Sequence, residues 1–124
     1  VCFNPVYLGT AQFLKMNRDR LEDPFLVTNG DTLTNLDLYD IIEFHLKNNN
    51  IATVFTKENA LHTGGTYIFD KEVINYIEDE ENIPDLMQTL LDQNITINLY
   101  FSNAYYFDIA NKEKLQKARI FYGE

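Results

Sequence analysis

The sequence has a single cysteine, Cys2, so no disulfide can form within the chain, and we expect a reducing, cytoplasmic setting. No apolar run approaches the roughly 20 residues of a membrane-spanning helix, and no signal-peptide pattern opens the chain. Positive charge is scarce too, because 10 lysines and arginines stand against 19 aspartates and glutamates, a net charge of −9. Nucleic acids and anionic membranes are also negative, so we expect neither as a partner.

Several patterns that carry chemistry are missing as well. The chain has no Cys/His spacing typical of a metal site, no Ser-His-Asp set and no glycine-rich phosphate loop. His45 lies on the apolar face of a predicted helix and is expected to be a hydrogen-bonded histidine at the edge of the core. The acidic run 78–81 is expected to be a solvated loop. What remains is globular composition, 45% hydrophobic, which predicts one domain with a real core.

Short strand-like runs alternate with amphipathic helices along the chain. The patterns predict strands at 25–28, 51–56, 66–69, 95–101 and 105–109, and helices at 10–21, 38–47, 71–77, 84–91 and 112–122. Asp37 is the expected N-cap of the second helix, and Pro84 the expected first residue of the fourth. This alternation predicts an α/β domain with a mostly parallel sheet and helices on both faces. The strand 25–28 is expected at its centre, because it is short, apolar and uncharged.

The strand 25–28 leads directly into Asn29-Gly30-Asp31. Open α/β sheets bind ligands at the carboxyl ends of their strands, where the Asp31 carboxylate could ligate a hard cation. Gly30 would allow a close approach that a Cβ blocks. An ordinary turn explains the same three residues, so both interpretations stay open at this point.

Three further segments could carry chemistry. Asp108 lies in the aromatic and apolar run 105–109, so it either faces a site, binds a metal or is paired structurally. The small residues Leu8-Gly9-Thr10-Ala11 open a helix; they would let a base or a phosphate approach backbone N–H groups, or would simply start the helix. Thr63-Gly64-Gly65 would let a ligand lie against the backbone or would form a tight turn.

In this order the segments resemble the sugar-1-phosphate nucleotidyltransferases, a family that includes mannose-1-phosphate guanylyltransferases and glucose-1-phosphate thymidylyltransferases. Residues 8–11 resemble its small-residue motif around the nucleoside, and residues 25–31 with 34–38 resemble its strand–Asn-Gly-Asp–loop–helix segment. Residues 63–67 resemble its sugar-contacting strand entry. Residues 105–109 resemble the aromatic stretch near the end of its catalytic domain. The ordered set covers nearly the whole chain.

The resemblance implies a Rossmann-like nucleotidyltransferase fold and a reaction in which an NTP and a sugar-1-phosphate give an NDP-sugar and pyrophosphate. It implies that Asp31 and Asp108 are catalytic and hold Mg²⁺. It also implies that the substrates contact residues of the other motifs: Leu8, Gly9, Thr10, Asn29, Gly30, Thr63, Gly64 and Gly65. A homo-oligomer is compatible with it.

Two other functions stay open. One is a regulatory nucleotidyltransferase-like domain that binds a nucleotide sugar without turnover. The other is a glycosyltransferase that uses a nucleotide sugar as donor. That class usually carries a paired Asp-x-Asp at the end of a strand, which the run 30–33 lacks.

The chain also departs from the family pattern. The N-terminal glycine-rich loop with its arginine and lysine is absent, and so is the Glu-Lys-Pro segment expected before Thr63. Thr63 itself replaces the usual asparagine, and Ala110-Asn111-Lys112 replaces Gly-Thr-Pro. Since Val1 is not a natural start residue, we expect residues 1–124 to be an incomplete catalytic domain. The expected junctions of missing loops lie at Tyr7-Leu8 and Ala60-Leu61.

Overall fold

The computed structural model describes residues 9–30, 32–57, 63–79 and 81–108, with the backbone alone at 32, 63, 64 and 106–108, and the single helical residues 113, 116 and 119. The helices are α1 (Thr10–Met16), α2 (Leu38–Lys47) and α3 (Ile83–Asp92), with 3₁₀ helices at Arg18–Arg20 and Lys71–Tyr76. The strands are β1 (Phe25–Thr28), β2 (Thr32–Thr34), β3 (Ala52–Thr56), β4 (Thr63–Phe69), β5 (Ile97–Phe101) and β6 (Tyr106–Asp108).

Some predictions fall outside these residues. Leu8, Asp31 and the two expected junctions, at 7–8 and 60–61, are not among them, and most of the predicted helix 112–122 is not either. The interpretation of residues 1–124 as an incomplete catalytic domain therefore stays a prediction. Within the described part of the chain, no helix is long and apolar enough to cross a membrane.

Four strands form a mixed sheet in the order β1-β4-β3-β5. In the part of the chain that the structure describes, β4 is antiparallel to both β1 and β3, and β3 and β5 are the only parallel pair. The predicted mostly parallel sheet was therefore wrong. The physical reason lies in the connection from β3 to β4, which is the six residues 57–62. Parallel neighbours need a crossover of a dozen or more residues, so this connection can join only antiparallel strands.

β1 lies at an edge of the described sheet, where β4 is its neighbour, and not at the centre as predicted. The strand is apolar because one side of it packs into the core. Phe25 is buried, whereas Leu26 is 37% exposed. A short apolar run therefore indicates that one face of the strand is buried. It does not indicate how many strands lie beside it.

Helices cover both faces of the sheet, as predicted. Side chains alternate along β3 and β4, so Val54, Tyr67 and Phe69 enter one core cluster and Phe55 and Ile68 enter the other. The first cluster is closed by α1, α3 and the 3₁₀ helix Lys71–Tyr76, and the second by α2. The first cluster is the larger, and the candidate site lies beside it.

Local capping determines where the helices begin and end. Asp37 caps α2 as predicted, because its Oδ1 accepts the Asp40 N–H at 3.1 Å. Asn82 and Asp85 form a capping box at the start of α3, which carries Pro84 in its first turn. The predicted helix 10–21 instead ends at Met16, because the Asn17 side chain donates to the Phe13 carbonyl at 2.9 Å and caps it.

Candidate functional site

An open cavity of about 1020 Å³ lies at the carboxyl end of β1, at the upper end of the usual size of ligand sites. We call it the α1–β1 cleft. Its described lining is apolar or neutral and polar: Thr10, Phe13, Leu14, Asn17, Leu21, Leu26, Val27, Thr28, Asn29, Gly30, Tyr67, Asn82, Ile83 and Pro84. Three predicted substrate contacts, Thr10, Asn29 and Gly30, are therefore in one cavity.

The Asn-Gly-Asp segment meets the Thr-Gly-Gly segment at the edge of this cleft. The Asn29 N–H donates to the Gly65 carbonyl at 3.0 Å, next to the pair of Thr28 with Thr66. Gly65 has a φ of +75°, and a Cβ on it would lie 2.8 Å from the Asn29 Nδ2. The positive φ therefore favours glycine at position 65, and a Cβ there would also force the Asn29 side chain to shift.

The tight-turn interpretation of residues 63–65 was wrong, because they belong to β4. The register shows an irregularity there: Val54 pairs with Tyr67, but Thr56 pairs with Thr63. Two extra residues of β4 are thus accommodated between those pairs, as in a β-bulge. The bulge contains Gly64 and Gly65 and places the second of them against Asn29.

Gly30 differs from Gly65 in what surrounds it. A Cβ built on Gly30 would meet nothing within 4 Å, and its φ is not in the left-handed region. The fold itself therefore does not require glycine at this position. Because Gly30 lines the cleft, its missing side chain leaves room for a ligand.

The N-terminus of α1 is already hydrogen-bonded. The Thr10 N–H donates to the Asn82 Oδ1 at 3.0 Å, and the N–H groups of Ala11 and Gln12 donate to the Glu81 carbonyl at 3.0 and 3.1 Å. In return, the Ile83 N–H donates to the Thr10 Oγ1 at 2.9 Å. A phosphate or a base that bound these N–H groups would have to displace these acceptors. Contact of residues 8–11 with a substrate stays a prediction.

One of the two aspartates of interest, Asp108, belongs to a second, two-stranded ladder. β2 and β6 are antiparallel, and Thr32 pairs with Asp108. Asp31 lies outside the described residues, and it directly precedes Thr32 in the chain. The ladder thus brings two segments that are distant in sequence together at this point. A metal shared by the two carboxylates stays a prediction, since the structure describes neither side chain.

Side chains before α2 fasten this ladder. The Thr34 hydroxyl donates to the Tyr105 carbonyl at 2.6 Å, and the Tyr105 N–H donates to the Asn35 Oδ1 at 2.9 Å. The Leu36 N–H donates to the Thr34 Oγ1 at 3.2 Å. These bonds fix the chain where it enters β6. Thr34 and Asn35, which belong to the segment 34–38 that resembles the family, therefore have a structural role.

His45 contacts a hydroxyl group and a carboxylate, the two kinds of group that a histidine contacts in a catalytic triad, but its role here is structural. Its Nε2 lies 2.8 Å from the Asp70 Oδ1, and its Nδ1 lies 2.7 Å from the Thr53 Oγ1, which also accepts from the Asn98 Nδ2 at 3.0 Å. A neutral His45 with its proton on Nε2 satisfies all three contacts. Thr53 is 0% exposed and His45 is 2% exposed, so no substrate reaches the hydroxyl. The predicted hydrogen-bonded core-edge histidine is confirmed.

The sequence interpretation missed several cleft residues, among them Phe13, Asn17, Tyr67 and Asn82. The sequence pattern gives Phe13, Asn17 and Tyr67 no signal beyond that of an ordinary helix or strand position. Asn82 carries a local signal, because an asparagine before Ile83-Pro84 is typical of a helix N-cap. That signal predicts the start of α3 but not its contact with Thr10, which is 72 residues away.

Comparison with known proteins shows a likeness of fold. No protein-family model and no curated protein matches the sequence. A protein assigned as a glucose-1-phosphate thymidylyltransferase from Bacillus anthracis, solved with sucrose, matches with a TM-score of 0.76 and 16% identity over 95% of this chain and 62% of that one. HddC from Yersinia pseudotuberculosis matches with a TM-score of 0.73 and 21% identity over 96% of this chain and 64% of that one.

UDP-glucose pyrophosphorylase from Acinetobacter baumanii matches with a TM-score of 0.75 and 14% identity over 96% of this chain. This chain spans 57% of that structure, and less than two thirds of each of the other two. The resemblance found in the sequence is thus matched in three dimensions: the chain has the fold of sugar-1-phosphate nucleotidyltransferases.

Proposed function

We propose that this chain is part of an enzyme that transfers a nucleoside monophosphate from an NTP to a sugar-1-phosphate. The observation that carries the proposal is the convergence of the motifs. Residues from the small-residue and Asn-Gly-Asp segments line one cleft, and the Thr-Gly-Gly segment packs against its edge. The β2–β6 ladder pairs Asp108 with the residue that follows Asp31. The fold of solved nucleotidyltransferases supports this assignment.

The cleft is suited to the neutral portions of the substrates. Phe13 and Tyr67 offer apolar faces for a base or a sugar ring, and Asn17 and Asn29 offer amides that can donate and accept. Gly30 leaves room at the carboxyl end of β1. A second structure of HddC is complexed with GMP-PN, which supports a nucleotide as one occupant of this fold.

The fit of a magnesium ion rests on the chemistry of its donors. Two carboxylates supply hard oxygen ligands and leave positions for phosphate and water, so Asp31 and Asp108 would hold Mg²⁺. Bound there, the ion would neutralise charge at the α-phosphate of the NTP. Oxygens of the substrate phosphates and of water would complete the coordination.

The reaction requires no covalent enzyme intermediate. An oxygen of the sugar phosphate forms a bond to the α-phosphorus in line with the bond that breaks, and pyrophosphate leaves with that electron pair. The residues of this chain would bind and orient the two substrates. Positioning of this kind supplies much of the rate acceleration in phosphoryl transfer.

The direct test is pyrophosphate release by the full-length protein with a panel of NTPs and sugar-1-phosphates. We expect release only when an NTP, a sugar-1-phosphate and Mg²⁺ are all present. Tight binding of a nucleotide sugar without release from any pair would favour the regulatory domain. Transfer of sugar from a nucleotide sugar to an acceptor would favour the glycosyltransferase.

A further inference from the structure

Glu81 is the one carboxyl side chain that is buried in the described part of the chain, and it is 6% exposed. The expectation that the run 78–81 is a solvated loop was therefore wrong for this residue. Its Oε2 accepts the Glu78 N–H at 2.7 Å, but its Oε1 is buried and has no hydrogen-bond partner among the described residues. A buried acceptor without a donor is costly, so the state of this carboxyl group needs an explanation.

The surroundings of Glu81 are negative. It lines a small pocket of about 330 Å³ together with Glu78, Asp79, Asp85 and Thr89. Lys15, on α1, reaches Asp79 at 3.5 Å. Burial raises the pKa of Glu81 above its ordinary 4.5; the Glu78 N–H and Thr89 oppose the rise, and the charges of Glu78 and Asp85 add to it.

The same residue joins two helices. The Glu81 carbonyl accepts the N–H groups of Ala11 and Gln12 at the start of α1, and α3 begins two residues later at Ile83. The Oε1 of Gln12 is also a buried acceptor without a partner in the described residues. A proton on Glu81 would turn one of the two unpartnered acceptors at this junction into a donor.

We propose that Glu81 is a proton-operated latch between α1 and α3, which holds the helices together when its carboxyl group is neutral and loosens them when it ionises. The junction forms one wall of the α1–β1 cleft, since Thr10, Asn82 and Ile83 all line that cavity. Proton release by Glu81 therefore changes the wall of the cleft. This latch does not depend on which reaction the cleft performs.

The direction of the pH effect follows from proton linkage. The folded chain binds the proton of Glu81 more tightly than the unfolded chain, so the latch contributes fully below the ordinary pKa of 4.5. Its contribution is lost as the pH rises through the raised pKa of the folded state. Each unit of that rise corresponds to a tenfold change in the equilibrium for opening.

Two NMR measurements on the full chain test the latch. The side-chain carboxyl of Glu81 should titrate above pH 4.5. Hydrogen exchange at the amides of Ala11 and Gln12, corrected for its intrinsic pH dependence, should speed up across the same range by tenfold for each unit of the shift. Glu81→Gln mimics the neutral carboxyl group and should abolish this rise of the exchange rate with pH. Glu72→Gln, at an exposed position, should leave it unchanged.

Three results would overturn the proposal. The first is titration of Glu81 at or below its ordinary pKa, which wild-type protein alone can reveal even if Glu81→Gln fails to fold. The second is an unchanged exchange step in a folded Glu81→Gln variant. The third concerns the amides of Ala11 and Gln12 at high pH in the presence of Mg²⁺ or Ca²⁺. If they are as protected there as they are at low pH, the pocket is a cation site.

Discussion

Gly65 and Gly30 lie near the same edge of the cleft, but the fold requires only one of them. Gly65 has a positive φ and packs against the Asn29 side chain, so the structure explains it completely. Gly30 has open space where a Cβ would be, and nothing in the fold accounts for it. The comparison separates residues that build the site from residues that a ligand would require.

The same distinction holds for two buried titratable residues. His45 has a partner on each ring nitrogen, and all the groups around it are satisfied. Glu81 is almost as buried, yet one of its oxygens has no partner in the described structure. A satisfied polar network stabilises and specifies a fold, whereas an unsatisfied group marks a place where a proton or a ligand changes the molecule.

The largest expected effect is on catalysis, at residues that the described fold does not explain. Asp31→Asn or Asp108→Asn should each lower Mg²⁺-dependent pyrophosphate release by at least about 100-fold, because each removes charge from a proposed magnesium ligand. The free energy of unfolding should change by less than about 0.5 kcal/mol. Asp92→Asn, on exposed α3 surface, is the matched control and should keep full activity.

The satisfied network gives the largest expected effect on stability. His45→Leu should lower the free energy of unfolding by about 2–4 kcal/mol, because Thr53 and Asp70 both lose a partner in or near the core. Urea denaturation measures the change. Leu46→Ala, one residue further along α2 and 60% exposed, should cost much less. Equal losses in the two variants would contradict the role given to the network.

The two glycines can be compared directly by the same substitution. Gly65→Ala should destabilise the protein by about 1–3 kcal/mol, because alanine is strained at a φ of +75° and its Cβ meets Asn29. Gly30→Ala should change stability by less than about 0.5 kcal/mol and weaken binding of substrate. If Gly30→Ala unfolds the chain, or binds substrate as wild type does, the comparison fails.

The smallest expected effect is a shift in one titration. Burial and a hydrogen bond to Asp40 raise the pKa of Tyr100 to about 12. Asp40→Asn should move that pKa toward the ordinary 10.0 without reaching it, because the burial remains. NMR of tyrosine-labelled protein measures the titration. An unchanged pKa would show that Asp40 has no part in the shift.

Local signals in the sequence were sufficient for much of the fold. Asp37 before α2 and the Asn82-Ile83-Pro84 start of α3 act through contacts within one turn, so their positions could be predicted. The apolar runs predicted β1, β3, β5 and β6 and most of β4, whereas β2 (Thr32–Thr34) was not predicted. Strand direction required one more fact, the length of the connection 57–62, which excludes a parallel β3–β4 pair.

The rest depends on contacts between distant residues. The position of β1 at a sheet edge is decided by its neighbours and not by its own composition. The contrast between Gly30 and Gly65 depends on where the Asn29 side chain packs, and the carbonyl of Glu81 accepts hydrogen bonds from the start of α1, about 70 residues earlier in the chain. The order of the motifs predicted which segments contribute to a site, and of the predicted residues Thr10, Asn29 and Gly30 line the cleft. Only the structure gives the pairing of Thr32 with Asp108.

The central claim is that Asp31 and Asp108 serve one magnesium ion. A double-mutant cycle on Mg²⁺-dependent pyrophosphate release, with Asp31→Asn, Asp108→Asn and both together, tests it most directly. If one ion is shared, either substitution disables the same site, so the double variant should be about as impaired as the worse single variant. Losses that multiply in the double variant, or full activity in Asp108→Asn, would contradict the shared site.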